Sequence, residues 1–242
     1  MSLDLPAINA RLHDAFAEDI TRFAADTFGD GLVLSSSFGA QAAVMLRMAT
    51  LVKPNIPVVF VDTGYLFPET YRFADELSRR LNLNLRVYVP QITGARLEAT
   101  EGRVWDKGEE GHKRYNQLFK IEPMQRALRE LNATAWLAGL RAGQTDHRAQ
   151  LRVVDRQDGL HKIHPILRWT TRQVHEYLKL HNLPYHPLYD LGYKSIGDTH
   201  STRAIGMGED ERAGRFGGVV QECGLHLPTT ETENVSAGSA GL

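Results

Sequence analysis

The apolar positions of this chain change period several times, and those changes divide it into strands and helices. Ile8, Leu12, Phe16, Ile20 and Phe23 recur at helical spacing, which predicts one amphipathic helix over residues 8–28, stopped by Gly29. Leu32-Val33-Leu34 and Pro57-Val58-Val59-Phe60-Val61 are instead continuous apolar runs. A strand that is apolar on both faces belongs in a parallel sheet covered by helices. Two further strands are predicted over residues 85–89 and 135–140. Helices are predicted from Ala40 to about Thr50 and over residues 69–81, 122–131 and 171–181. Strand–helix alternation of this kind gives an α/β fold, a mostly parallel twisted sheet with helices on both faces and right-handed crossovers.

Ligands of such sheets bind beyond the carboxyl ends of the strands, so the segments after those ends carry the candidate chemistry. The first is Ser35-Ser36-Ser37-Phe38-Gly39, where three hydroxyls and a glycine stand between a strand and a helix. The opening N–H groups of a helix lack internal partners and its dipole favours an anion, while Gly39 would let a phosphate approach the backbone. No lysine follows the glycine, so this is not a GxxxxGK[ST] loop, and a plain helix cap is the alternative. The second segment is Asp62-Thr63-Gly64-Tyr65. The third runs from Arg141 to Arg148 through Gln144, Thr145, Asp146 and His147. Arginine suits bidentate contacts to phosphate oxygens, and a solvated loop is the alternative.

A net charge of −1 gives no global attraction to nucleic acid or an anionic membrane, so any basic site must be local. No apolar run approaches the ~20 residues of a membrane span, and residues 1–10 show no charged-then-apolar leader pattern. The one cysteine excludes an intrachain disulfide and a purely cysteine-ligated zinc or iron–sulfur site within one chain. A lone thiol fits a reducing compartment, so the cytoplasm is expected. Ten histidines without HExxH-type spacing give no metal site. Cys223 lies in Gln221-Glu222-Cys223-Gly224-Leu225-His226, after the last plausible core element. It is either a small buried hydrophobe or a nucleophile, whose reactive thiolate nearby positive charge would favour. From Tyr185 onward regular patterning fades, and residues 229–242 are nearly devoid of apolar side chains, so a disordered end is expected.

Taken together the motifs resemble the thioredoxin-dependent phosphoadenylyl-sulfate (PAPS) reductases. The likeness runs in order from about residue 10 to residue 228. It rests on the 35–41 loop, Asp62-Thr63-Gly64-Tyr65-Leu66-Phe67-Pro68-Glu69-Thr70-Tyr71, Lys120-Ile121-Glu122-Pro123-Met124, Gly139-Leu140-Arg141, Tyr185-His186-Pro187-Leu188-Tyr189-Asp190, Gly197-Asp198-Thr199-His200-Ser201-Thr202-Arg203 and Glu222-Cys223-Gly224-Leu225-His226. The resemblance implies an adenine nucleotide α-hydrolase-like domain over residues 1–205, a mobile catalytic tail over 206–228 and a disordered end over 229–242. It implies that Ser35, Ser36, Ser37, Phe38, Gly39, Lys120 and Arg141 contact the phosphosulfate. Asp62, Thr63, Gly139 and Arg148 join the substrate-binding set, and Arg212 and Arg215 fold over the nucleotide within residues 208–215. Cys223 would attack the sulfur, with His226 or Arg215 stabilising its thiolate.

The related adenylyl-sulfate (APS) reductases hold a four-iron cluster on a Cys-Cys pair and a Cys-x-x-Cys pair. Here those positions are Tyr115-Asn116 and Asp198/Ser201, so no cluster is expected and no other bound cofactor. Cluster-free members mostly prefer PAPS. Residues 208–215 and the Ala142-Gly143 departure after Arg141 keep APS as the alternative substrate. The resemblance implies reduced thioredoxin as co-substrate, with glutaredoxin as the alternative donor, and a homodimer. An ATP pyrophosphatase or adenylyltransferase on the same sheet is the rival enzymatic reading, and a nucleotide-sensing module the non-catalytic one.

Overall fold

The structure is a computed structural model, and it describes residues 3–206, 208–216, 222 and 224–226. Cys223, the nucleophile expected from sequence, and residues 229–242, expected to be disordered, lie outside the described residues.

Strand β1 (Leu32–Ser35) lies inside the sheet, flanked by β2 (Pro57–Val61) and β4 (Ala135–Leu137). β3 (Asn84–Tyr88) is one edge, and a hairpin of β5 (Val154–Gln157) and β6 (Leu160–Ile163) completes the other, giving the order β3-β2-β1-β4-β6-β5. Every pairing is parallel except β5 with β6. Because side chains alternate across a strand, the continuous apolar runs feed two cores. Leu32, Leu34, Val58 and Phe60 pack on one face with helices α2 (Ala17–Phe28), α3 (Ala43–Val52) and α9 (Thr171–Leu180). Val33, Val59 and Trp136 pack on the other against Met124, Ala127 and Leu128 of α7 (Glu122–Glu130). The expected α/β sheet with helices on both faces is therefore what forms.

The single helix expected over residues 8–28 is two, α1 (Leu5–Leu12) and α2. Phe16, which fits the helical spacing, is an extended residue at the start of α2 and 79% exposed. Glu18 and Asp19 place negative charge in the first turn of α2, which favours a fresh helix start there. Gly29 stops α2 as expected, with φ +50. The helix expected from Ala40 begins at Ala43, because Gly39 to Ala42 form a turn closed by Ala42 N–H to Gly39 O (3.1 Å). β4 ends at Leu137 rather than Leu140. Ala138 still donates to Ile163 O (2.9 Å), but Gly139 then passes Met45 so closely that a Cβ would lie 2.9 Å from Met45 Cγ. The β5–β6 hairpin, absent from the expected strands, turns on Asp158-Gly159, both at positive φ, an Asp-Gly turn signal. Also new are α5 (Gly94–Glu101), α6 (Gly108–Asn116) and the short α8 (Asp146–Ala149), while α4 (Pro68–Leu81) fits its expected span. No described helix is long and apolar enough to cross a membrane.

Candidate active site

The carboxyl ends of β1, β2 and β4 open into a cleft of about 280 Å³. Its walls include Ser35, Ser36, Ser37 and Gly39 from the first turn and Thr63 from the second, with Gly139, Arg141 and Arg148 from the third. Segments distant in sequence complete it with Lys120, Lys194, Asp198, Arg212 and Arg215. Six basic side chains against one carboxylate among the described lining residues suit a polyanionic ligand.

The first turn takes its shape from Phe38, not Gly39. Phe38 has φ +48, its ring is fully buried edge-on to Phe60 (4.9 Å), and its N–H donates to Ser36 Oγ (3.1 Å). A left-handed non-glycine backbone is held only where its surroundings fix it, which packing on Phe60 does here. A Cβ at residue 39 would meet Ser37 Oγ at 3.5 Å, an ordinary contact. The amides of Ser37, Gly39, Ala40 and Gln41 have no acceptor among the described residues, which leaves them able to bind an anion. Phe38 thus serves through its backbone. The Asp62 side chain is not in the cleft: it accepts from Gly64 N–H (2.8 Å) and Tyr71 OH (2.7 Å) and braces the second turn.

Lys120 reaches the cleft from a π-helical turn, Gln117–Ile121, inserted between α6 and α7. Such insertions re-aim a side chain and recur at functional sites. Its ammonium lies 2.6 Å from Asp198 Oδ2, and Thr63 donates to Asp198 Oδ1 (2.5 Å). Burial alone would raise the Asp198 carboxyl, but the Lys120 ammonium and the Thr63 hydroxyl more than offset that and hold it well below the usual carboxylate range. Around this pair stand Tyr115, Trp105 and His200, with the His200 ring stacked on Trp105 at 4.1 Å. Burial pushes His200 down to about 4, so it is neutral near pH 7.

Arg141 ties three segments together. It donates to Gln41 Oε1 (3.1 Å), Thr171 Oγ1 (3.0 Å) and Glu211 Oε2 (2.9 Å). The 208–216 segment is held over the cleft by that contact and by a bridge between Thr202 and Arg215. The Arg215 guanidinium rests on the backbone of Gly197, where any Cβ would collide with it, and lies 4.7 Å from the Phe216 ring centroid.

Residues 222 and 224–226 close the other side. Glu222 is buried against Arg148, which holds its carboxyl below the ordinary range despite burial. His226 is half-buried, its ring stacks with Trp136 (5.4 Å) and its Nδ1 lies 2.8 Å from Lys162 Nζ. An ammonium can only donate, so Nδ1 is the acceptor and Nε2 carries the proton. Burial and the neighbouring Lys162 push His226 far below its ordinary value, so the ring is neutral and supplies no positive charge to a thiolate. Trp136 also donates its indole N–H to Ser35 Oγ (2.6 Å), joining this segment to the Ser35–Gly39 turn.

Of the site residues expected from sequence, the described ones thus converge except for the Asp62 and Phe38 side chains. Asp198 and Lys194 are lining residues that the sequence reading left out of its site. Only the Gly197-Asp198-Thr199-His200 block hinted at the first, and Lys194 lay in a mixed-charge stretch that reads as solvated.

The fold is shared with the Candida glabrata FMN adenylyltransferase, which superposes with TM-score 0.57 at 18% identity, over 81% of this chain and 64% of that one. The likeness shows the fold alone. A phosphoadenylyl-sulfate reductase from Candida auris, solved as a phosphate complex, superposes with TM-score 0.73 at 31% identity, over 84% of this chain and 99% of that one. The phosphoadenosine phosphosulfate reductase domain matches residues 31–204. The phosphoadenosine 5'-phosphosulfate reductase of Synechocystis sp. is 53% identical over 242 residues, 99% of this chain and 97% of that protein. Its namesake in Xylella fastidiosa is 52% identical over 223 residues, 92% of this chain and 94% of that protein. The chain belongs to the phosphoadenosine phosphosulfate reductase family.

Proposed function

We propose that this protein is an oxidoreductase that converts PAPS to sulfite and adenosine 3',5'-bisphosphate with electrons from reduced thioredoxin. The observation that carries the reading is the cluster of basic side chains at the strand ends, roofed by two C-terminal segments that flank the chain's one thiol. The Cys223 thiolate donates its electron pair to the sulfonate sulfur. The S–O bond to the 5'-phosphate breaks, and its pair leaves on the phosphate oxygen. This leaves an S-sulfocysteine and splits one reduction into two displacements. A thioredoxin thiolate then attacks the Cys223 sulfur, and sulfite leaves with the sulfur–sulfur bonding pair. The second thioredoxin thiol resolves the mixed disulfide, so thioredoxin is oxidised by two electrons and Cys223 is regenerated.

Lys120, Arg141, Arg212 and Arg215 offset the charge of the sulfate and the leaving phosphate, without which the thiolate would be repelled. As thiolate stabiliser the reading favours Arg215, a cation on the cleft wall, over the neutral His226. It uses no iron–sulfur cluster. In support, the four corresponding positions offer a phenol, an amide, a carboxylate committed to Lys120 and a hydroxyl, which do not fit an all-thiolate cluster. The reading also carries a homodimer in a thiol-reducing compartment, with thioredoxin rather than glutaredoxin as donor.

Sulfite release from PAPS and from APS, in parallel, with reduced thioredoxin and with either wild type or Cys223→Ser, tests it. Faster turnover of PAPS and an inactive variant are expected. Faster turnover of APS would move the substrate assignment, and an active Cys223→Ser would put the adenylyltransferase reading first.

A further inference from the structure

Arg148 stands in a loop whose arginines the sequence assigns to phosphate, yet its Nε–Nη2 fork is already taken. Nε and Nη2 donate to Glu222 Oε1 (2.7 Å) and Oε2 (2.8 Å), a bidentate pair, and Nη1 donates to Gln144 Oε1 (2.5 Å). Glu222 Oε1 also accepts from Thr145 Oγ1 (2.9 Å), and Arg212 Nη2 lies 3.7 Å from Oε2. The two side chains are only 7% and 4% exposed. A guanidinium whose Nε–Nη2 fork is filled by a buried carboxylate can offer that fork to a phosphate only by expelling the carboxylate, uncompensated, beside another anion.

Glu222 immediately precedes Cys223, and a second anchor follows it. The Leu225 carbonyl accepts from Gln157 Nε2 (3.2 Å), Leu225 packs with the Val33–Trp136 core, and His226 is held by Lys162 and Trp136. The chain is therefore fixed to the body of the protein on both sides of the cysteine. We propose that Arg148 and Glu222 form a tail anchor, in which Glu222 is a positioning residue for Cys223 and Arg148 holds Glu222 rather than the substrate. This rests on Cys223 being the nucleophile of the proposed reaction.

The test separates chemistry from binding. Enzyme is mixed with PAPS without thioredoxin, and intact mass follows the sulfonate adduct on Cys223 in a single turnover. Affinity for adenosine 3',5'-bisphosphate is measured on the same preparations. Glu222→Gln is expected to slow adduct formation by about tenfold to a hundredfold, the cost of a misplaced nucleophile, while nucleotide affinity stays within about twofold. Arg148→Met is expected to match it, with the double variant no slower than either single one. Adduct formation by Glu222→Gln at the wild-type rate would overturn the anchor, whether or not Arg148→Met folds. So would a tenfold or greater loss of nucleotide affinity in a folded Arg148→Met, which would return Arg148 to the substrate. If wild type binds the nucleotide yet forms no adduct, the proposed reaction itself fails, and the anchor fails with it.

Discussion

Lys120 and Asp198 meet at 2.6 Å inside the protein, although one comes from a π-helical turn before α7 and the other from an irregular C-terminal segment. Their contact fixes the lysine at the mouth of the sheet and ties the Gly197-Asp198 segment to it.

Removing one partner of this pair leaves the other buried and uncompensated. Lys120→Met and Asp198→Asn are each expected to lower stability, Lys120→Met by about 3–5 kcal/mol because it strands a carboxylate. The double variant Lys120→Met/Asp198→Leu is expected to recover most of that loss, since a buried pair is often replaceable by apolar side chains. Denaturant unfolding of the three variants checks it; a double variant no more stable than Lys120→Met alone would show that the two residues are not coupled.

Arg215 owes its position to the missing side chain of Gly197. Gly197→Ala is expected to push the guanidinium off the cleft wall. Losing one charge-assisted contact to an anion corresponds to roughly tenfold weaker binding of adenosine 3',5'-bisphosphate, with the fold retained. Titration calorimetry beside a melting curve separates the two effects, and unchanged affinity would remove Arg215 from the binding set.

Stability is expected to fall on the acid side through two buried histidines. Leu188 N–H donates to His186 Nδ1 (3.1 Å), so Nδ1 is an acceptor and Nε2 donates to Thr70 Oγ1 (3.0 Å). The His164 Nδ1 donates to the Arg152 carbonyl (2.8 Å). Burial pushes both down to about 4, below the ordinary value of 6.5. The unfolded chain therefore binds more protons between those values. Their contribution is complete above about pH 6.5 and is lost as pH falls toward about 4, at up to about 1.4 kcal/mol per pH unit for each histidine. The His186 backbone N–H holds the Ala40 carbonyl (3.1 Å), so this loss reaches the turn that follows β1. Unfolding of wild type and His186→Gln across this range should show a shallower slope in the variant; equal slopes would remove His186 as a source.

Much of the sheet was legible because its central strands are buried on both faces and so read as unbroken apolar runs. Helices α4, α7 and α9 were legible from their periodicity and, for α4, from the proline at its start. The N-terminal helix was misjudged because the 3.6-residue spacing survives across a break, while the acidic first turn of α2 marks the restart. The β5–β6 hairpin was missed because its strands are short and mixed in polarity, although Asp158-Gly159 announces the turn.

The sequence by itself determined strands β1 to β4 of the sheet, the polar turns after three of them and the family to which the chain belongs, because these are carried by local patterns and contiguous motifs. Tertiary structure decided which partner each charge takes. That Arg148 meets Glu222, Lys120 meets Asp198 and His226 meets Lys162 follows from burial and geometry between residues far apart in the chain. A charged side chain in the sequence carries its sign but not its partner, and in a buried site the partner decides whether it binds substrate, holds another residue or stays neutral.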